Sequence, residues 1–118
     1  MPNNIEAGMN GQQEAERYLI EKGVGIIERN YRIKSGEIDL IGQDGEYVVF
    51  IEVKYRSSLS FGYPCEAVNI KKQRKIIKTA LHYINHKRLS HCGFRFDVVE
   101  ILKQNGSLEI THIENAFS

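Results

Sequence analysis

In the stretches 37–40 and 49–54, apolar residues occupy every second position, and the positions between them are charged except for Phe50. This spacing predicts two strands, each with two distinct faces. The dipeptide Asp44-Gly45 between them is a hairpin signal, and a loop of two or four residues there predicts that Phe50 faces Asp39 and Glu52 faces Glu37. The apolar series comprises Ile38, Leu40, Val49, Ile51 and Val53.

The rest of the chain contains two helical patterns and three further strand patterns. Apolar residues at helical spacing predict one helix over 8–22, which ends at Gly23, and a second over 69–88, with Asn69 as its N-cap. Strand patterns cover 24–33, 94–103 and 107–113, whereas the Ser- and Gly-rich stretch 57–67 predicts a loop. The order α-β-β-β-α-β-β predicts an α+β fold resembling a three-layer α/β arrangement, with a central mixed sheet of about five strands flanked by helices.

Length and composition describe an ordinary globular protein. The 118 residues, 42% of them hydrophobic, fit a single domain over 1–118, with residues 1–7 predicted to be disordered. No apolar run is long enough to span a membrane, and the N-terminus lacks the pattern of a secretory signal, so we expect no membrane association and a cytoplasmic location. Cys65 and Cys92 are then expected to be free thiols, with a disulfide left open.

One face of the predicted hairpin carries a cluster of charged residues. Asp39, Glu52 and Lys54 would lie near one another there, since cross-strand neighbours are about 5 Å apart. The cluster is either a structural ion pair at a sheet edge or a site for Mg²⁺ or Mn²⁺, for which one or two carboxylates on rigid strands suffice. Because several charges within apolar strands cost free energy unless they serve a function, the residues alone favour neither interpretation.

The second predicted helix is strongly basic. Residues 69–88 include seven Lys or Arg and no Asp or Glu. Such a surface either binds a phosphate backbone or is a solvated face. Beside a metal site it favours phosphodiester hydrolysis of DNA. The predicted DNA-binding residues are Arg29, Arg32, Lys34, Arg56, Lys71, Lys72, Arg74, Lys75 and Lys78.

Six sequence blocks resemble the bacterial YraN-type family: S-G-E-I-D-L-I, D-G, V-F-I-E-V-K-Y-R, F-G-Y-P-C-E-A-V, K-K-Q-R-K and F-D-V-V, within about residues 8–101. The resemblance implies a minimal PD-(D/E)xK nuclease fold with a restriction-endonuclease-like core, similar to archaeal Holliday-junction resolvases. It implies an endonuclease-like protein that cleaves DNA, including branched DNA, with Mg²⁺ or Mn²⁺. Symmetrical cleavage of a junction would call for a homodimer.

The resemblance also implies roles for individual residues. Asp39 and Glu52 match the two metal ligands, and the backbone carbonyl of Val53 would be a third oxygen ligand. Lys54 matches the lysine that positions the attacking water or helps to deprotonate it. Gln73 matches the catalytic glutamine on the following helix, where it would orient a water or a phosphate; the alternative is a glutamine bonded to the backbone.

The first helix departs from the family pattern G-E-x-x-A-x-x-Y-L. Gln12 stands where the family has glutamate, and it adds no charge to a metal site. Glu16 lies one turn further along the same helical face and is the candidate replacement ligand. This departure motivates a competing hypothesis, a nucleic-acid-binding module of the same fold without catalysis. A third hypothesis is that the charged face docks an acidic protein partner.

Overall fold

The computed structural model describes residues 4–56, 68–89 and 93–117. The predicted α+β fold with a mixed five-stranded sheet is confirmed, as is the order of its elements. Helix α1 begins four residues before the predicted start at residue 8, whereas the predicted loop 57–67 and both cysteines lie outside the described residues. The elements are α1 Asn4–Glu21, β1 Gly25–Ile33, β2 Gly36–Asp44, β3 Tyr47–Arg56, α2 Ile70–Lys87, β4 Gly93–Gln104 and β5 Ser107–Phe117.

The five strands lie side by side in the order in which they occur along the chain. Strands β3 and β4 are parallel, and the other neighbouring pairs are antiparallel. Parallel neighbours need a crossover connection, since a tight turn cannot join them. Helix α2 lies in that connection and is therefore placed against the sheet.

The two helices cover opposite faces of the sheet. Val49 packs in the core cluster that contains Leu19 of α1, whereas Phe50 packs in the cluster that contains Tyr83 of α2. Because successive strand residues point to opposite faces, the charged face of the hairpin lies beneath α2. Ile38, expected on the α1 side, packs in the α2-side cluster. Neither described helix is apolar over a length that could cross a membrane.

The β2–β3 hairpin has a different register from the predicted one. Phe50 pairs with Ile41 and not with Asp39. The turn comprises residues 45–46, because Gly45 takes a φ of 59° and the residue before it remains paired in the ladder. This moves the pairing by two residues. An even shift keeps Asp39, Glu52 and Lys54 on their predicted face.

Candidate functional site

Strands β2 and β3 separate at the end of the hairpin far from its turn. Their pairing ends at Leu40 and Ile51, although β3 remains paired with β4 over its whole length. The observed register, if continued, would place Glu52 opposite Asp39, so the predicted pairing of Glu52 with Glu37 is wrong. Beyond the last pair, backbone groups of β3 face β2 without their ladder partners.

Asp39 satisfies one of these backbone groups. Its Oδ2 accepts a hydrogen bond of 2.8 Å from the N–H of Val53, which a continued ladder would have paired with Ile38. Burial and then the negative charge of Glu52 raise the pKa of Asp39 to about 7, although this hydrogen bond and Lys72 act in the opposite direction. Burial and a neighbouring negative charge therefore both disfavour the ionised form of Asp39, which a bound cation would favour.

Glu52 is the more deeply buried of the two acids, with 5% of its surface exposed. Its Oε1 lies 2.5 Å from Nζ of Lys72 in the first turn of α2. The backbone N–H of Lys72 donates to Oδ1 of the N-cap Asn69 at 2.9 Å, and this cap fixes the start of the helix beside the carboxylates. Lys72, predicted as a DNA contact, thus belongs to the carboxylate cluster itself.

Lys54 lies two residues after Glu52 on β3 and on the same face of the sheet. Burial, followed by the neighbouring ammonium of Lys72, lowers the pKa of Lys54, whereas Glu52 and Asp39 oppose that shift. A lowered pKa favours the neutral amine, the form that can accept a proton. The structure therefore brings Asp39, Glu52 and Lys54 together.

An open pocket of about 230 Å³ lies between β2, β3 and α2. Gly36 sets its width, because a Cβ at that position would lie 2.5 Å from Oγ1 of Thr79. Only glycine lets the helix approach the strand so closely. In the described part of the chain, no three His, Cys, Asp or Glu side chains form a group able to hold a metal ion. The pocket is lined by Gly36, Glu37, Asp39, Glu52, Lys72, Lys75 and Ile76.

Three other predicted site residues are engaged or placed elsewhere. Gln73 donates from Nε2 to the backbone carbonyl of Val68 at 2.9 Å, and it does not line the pocket. Glu16 accepts from Nε of Arg29 at 3.0 Å, on the α1 side of the sheet. Gln12 is half-buried on α1, and no contact among the described residues joins it to the carboxylates.

The sequence has relatives among known proteins. It matches the profile of the "Uncharacterised protein family UPF0102" over residues 11–101. A UPF0102 protein of Clostridioides difficile strain 630 is 47% identical over 115 residues, which cover 98% of this chain and 99% of the relative. The chain belongs to the UPF0102 family. UPF0102 proteins of Clostridium acetobutylicum (47% identical, 97% and 95% covered) and Caldicellulosiruptor saccharolyticus (42%, 98% and 99%) agree with this, and the predicted YraN-type membership is confirmed.

The predicted DNA contacts of this UPF0102 chain fall into two groups. One group carries its charge in ion pairs: Arg29 with Glu16, Arg32 with Glu37 at 3.0 Å, Arg56 with Glu100 at 2.7 Å, and Lys72 with Glu52. The other group is exposed to solvent and lies mostly on α2. Arg29 and Arg32 are also exposed, but among the described ion pairs the second group has none. Its members are Lys34, Lys71, Arg74, Lys75 and Lys78.

Glu100 was not predicted as part of the site. It lies on β4 beside Lys54 in the parallel register, with 2% of its surface exposed. One carboxylate oxygen contacts Arg56, and Oε2 is buried without a hydrogen-bond partner in the described part of this UPF0102 chain. No local sequence signal indicates this neighbour, since the pairing of β3 with β4 depends on a long crossover and not on a local turn.

Proposed function

We propose that this UPF0102 protein is a divalent-metal-dependent endonuclease that hydrolyses DNA phosphodiester bonds. One observation carries the proposal: where β2 and β3 separate, two carboxylates and a lysine converge beneath the first turns of a basic helix. An ion pair that served stability alone would not need a second, half-buried acid next to the buried one. A carboxylate with a raised pKa in an open pocket, such as Asp39, is typical of functional sites.

The oxygen donors fit Mg²⁺ or Mn²⁺. Hard cations take oxygen ligands, and Mg²⁺ usually keeps several waters, so the carboxylates of Asp39 and Glu52 are a sufficient protein contribution. The N–H of Val53 points to Asp39. Because the N–H and C=O of one strand residue face the same neighbouring strand, the Val53 carbonyl is the third proposed ligand. A bound ion supplies activation of water and compensation of charge on the phosphate.

The protein's own groups would position the water and the substrate. Lys54, with its lowered pKa, would hold the attacking water and accept its proton. Helix α2 directs its N-terminal half at the pocket and has no acidic residue in its first turn. Positive side chains at the positive end of a helix dipole cost stability. Phosphate binding explains why they are there.

Lysines on the outer surface of α2 extend this phosphate site along the helix. Lys71, Lys75 and Lys78 are exposed and recur at intervals of four and three residues, which places them on one stripe. A DNA backbone lying along this stripe would reach the carboxylates at its end. The family resemblance favours branched DNA as the substrate, and a homodimer would make the two symmetrical cuts of a junction.

The decisive experiment compares the wild-type protein with Lys54→Ala on linear, nicked, three-way and four-way DNA, with Mg²⁺ or Mn²⁺. We expect the variant to lose cleavage by about 100-fold or more, the usual contribution of a proton-transfer group, and to keep its DNA affinity. Lys103→Ala, which changes an exposed lysine on β4, is the matched control and should cut normally. A wild-type protein that binds DNA and cuts none of these substrates would contradict the proposal.

Two observations favour a second candidate, a nucleic-acid-binding module without turnover. Gln12 supplies no carboxylate, and Lys72 already engages Glu52. Such a module would bind DNA equally well with and without metal and would cleave none. Changing Lys71, Lys72, Lys75 and Lys78 together to Gln should abolish DNA binding under both functions. Unchanged DNA binding by that variant would favour a protein-docking role for the basic surface.

A further inference from the structure

The ion pair between Lys72 and Glu52 lies where the proposed metal would bind. Nζ of Lys72 is 2.5 Å from Oε1 of Glu52, and both residues line the pocket together with Asp39. Mg²⁺ binds its oxygen ligands at about 2.0–2.1 Å. A divalent ion at that distance from the same oxygen would lie close to the ammonium, and their mutual repulsion makes each cation disfavour the other.

We propose that Lys72 is an internal cation that occupies the metal position of the metal-free protein and must leave it when a divalent ion binds. This inference rests on the proposed function, since it takes Asp39 and Glu52 as the metal ligands. It gives Lys72 a role different from that of the other lysines on α2. Lys72 sets how strongly the site holds metal, and the exposed lysines bind phosphate.

The surroundings of Lys72 explain why it enters the site when no metal is there. Glu52 is almost wholly buried and needs a positive partner, because an unpaired buried charge is costly. The N-cap Asn69 holds the backbone of Lys72 at the mouth of the pocket. The ammonium of Lys72 is the positive group that the structure places against the Glu52 carboxylate.

Lys72 also has a path out of the site. Its side chain is 41% exposed, so the ammonium can turn towards solvent without unfolding the helix. The basic stripe of α2 lies alongside, where a DNA phosphate would accept the displaced charge. Lys75 provides a natural comparison, because it lines the same pocket from the next turn and is exposed. Among the described ion pairs, Lys75 has none with Glu52.

The test is a titration of metal-free protein with Mn²⁺ alone. Binding is monitored by calorimetry and by the electron paramagnetic resonance signal of free Mn²⁺. Lys72→Met should bind Mn²⁺ at least about tenfold more tightly than the wild type, because the ion no longer competes with an ammonium. Lys75→Met removes one charge from the same pocket wall, and its affinity should change by less than about threefold. Asp39→Asn should remove binding and so identifies the site.

Thermal unfolding gives a second measurement. Lys72→Met should melt at a lower temperature than the wild type in EDTA, and saturating Mn²⁺ should raise its melting temperature by more than it raises that of the wild type. Lys72→Gln repeats both measurements with a side chain that can still donate a hydrogen bond. It serves as the test variant if the methionine variant does not fold.

Equal gains in Mn²⁺ affinity for the variants at Lys72 and Lys75 would overturn the inference, because they would show a general charge effect. No gain at Lys72, or no Mn²⁺ binding by any protein, would also overturn it. The titration needs no DNA, so the two proposals can fail separately. If Lys72→Met binds Mn²⁺ more tightly but the wild-type protein cleaves no DNA, the assignment of Lys72 is supported and the nuclease proposal is contradicted.

Discussion

Two acidic residues of the same sheet, Asp97 and Asp39, lie in opposite electrostatic environments. Asp97 is fully buried on β4 and accepts hydrogen bonds from Arg95 Nε at 2.9 Å, His112 Nε2 at 2.7 Å and the N–H of Asn115 at 2.9 Å. Burial acts to raise the pKa of Asp97, but the donors from His112, Arg95 and Asn115 outweigh it and hold the pKa below its ordinary value. The fold therefore neutralises this carboxylate from several directions.

Asp39 has far less compensation. Among the described contacts it accepts one hydrogen bond, from the N–H of Val53, and the charge that affects its pKa most is that of another acid, Glu52. It also faces an open pocket, whereas Asp97 is enclosed. A carboxylate with a full set of donors holds elements of the fold together. One that the fold leaves short of positive charge is available to a ligand.

The largest effect expected from this comparison is on stability. Asp97→Asn should lower the free energy of unfolding by about 3 kcal/mol or more, since it leaves Arg95 and His112 buried against a neutral amide. Asp39→Asn should change it by less than about 1 kcal/mol, or raise it, because the amide removes a charge that burial disfavours. Urea unfolding of both variants at pH 7.5 in EDTA measures the difference. Similar losses for the two variants would mean that the two environments are equivalent.

The close approach of α2 to β2 gives the next largest effect. Gly36→Ala would place a Cβ 2.5 Å from Oγ1 of Thr79 and 3.3 Å from the carbonyl oxygen of Lys75. We expect a loss of about 1–3 kcal/mol in the free energy of unfolding, the usual cost of forcing a group into a packed interior. Mn²⁺ binding should weaken as well, because the helix that carries the pocket wall is displaced.

Gly25→Ala is the matched control for this change. A Cβ at Gly25 would lie 3.9 Å from the nearest atom, the carbonyl oxygen of Gln43, so it meets no close contact. Its stability should be unchanged or slightly increased. The double variant Gly36→Ala with Thr79→Ala should recover part of the lost stability, since it removes the clashing oxygen. If the double variant recovers no stability, the clash with Thr79 is not the cause of the loss in Gly36→Ala.

The two carboxylates should also give opposite pH dependences. The pKa of Asp39 is about 7 in the folded protein and 3.8 as its ordinary value, so the folded state binds more protons between these pH values. Stability attributable to Asp39 is present below about pH 4 and is lost as the pH rises through 7. The lowered pKa of Asp97 has the reverse effect: its stabilisation is present above about pH 4 and is lost as the pH falls through the folded pKa.

Urea unfolding from pH 4.5 to 7.5 in EDTA separates these effects. The stability of the wild type relative to Asp39→Asn should fall by on the order of 1 kcal/mol across this range, because solvent in the pocket screens part of the shift. The same comparison with Asp97→Asn should show no such fall. A constant difference between the wild type and Asp39→Asn would mean that Asp39 is ionised throughout, with its charge compensated by the fold.

Local sequence signals predicted the elements well. Gly23, with a φ of 96°, follows the end of α1, and Asn69 caps α2 as expected. The period of two assigned Asp39, Glu52 and Lys54 to one face, and this assignment survived an error in the register because the error was an even number of residues. Signals that depend on a few adjacent residues were therefore sufficient to predict the helices and strands.

The sequence did not predict the contacts between elements that are far apart along the chain. The side of the sheet covered by α2 decides that Lys72 meets Glu52, and the crossover decides that Glu100 lies beside Lys54. Gln73 illustrates the same limit, because its helical position permitted both a role in the site and the backbone contact with Val68 that the structure has. Periodicity assigns a residue to a face but does not identify what packs there.

The smallest effect on stability is expected for the exposed lysines of α2, which distinguishes them from both carboxylate environments. Lys71→Gln and Lys78→Gln, singly and together, should change the free energy of unfolding by less than about 0.5 kcal/mol, since both residues are exposed. Their effect should instead appear in DNA binding. Each phosphate contact removed should reduce the slope of log affinity against log salt by about one. Fluorescence anisotropy at salt concentrations from about 50 to 200 mM measures this slope.

Lys103→Gln is the control for these variants, because it removes the same charge from β4, away from the helix. It should leave the salt dependence unchanged if DNA lies along α2. A slope that falls equally for Lys103→Gln would mean that DNA responds to net charge alone. A slope that is unchanged in the Lys71 and Lys78 double variant would mean that these two lysines make no phosphate contacts. The pocket would then lack the phosphate-binding surface on which its proposed chemistry depends.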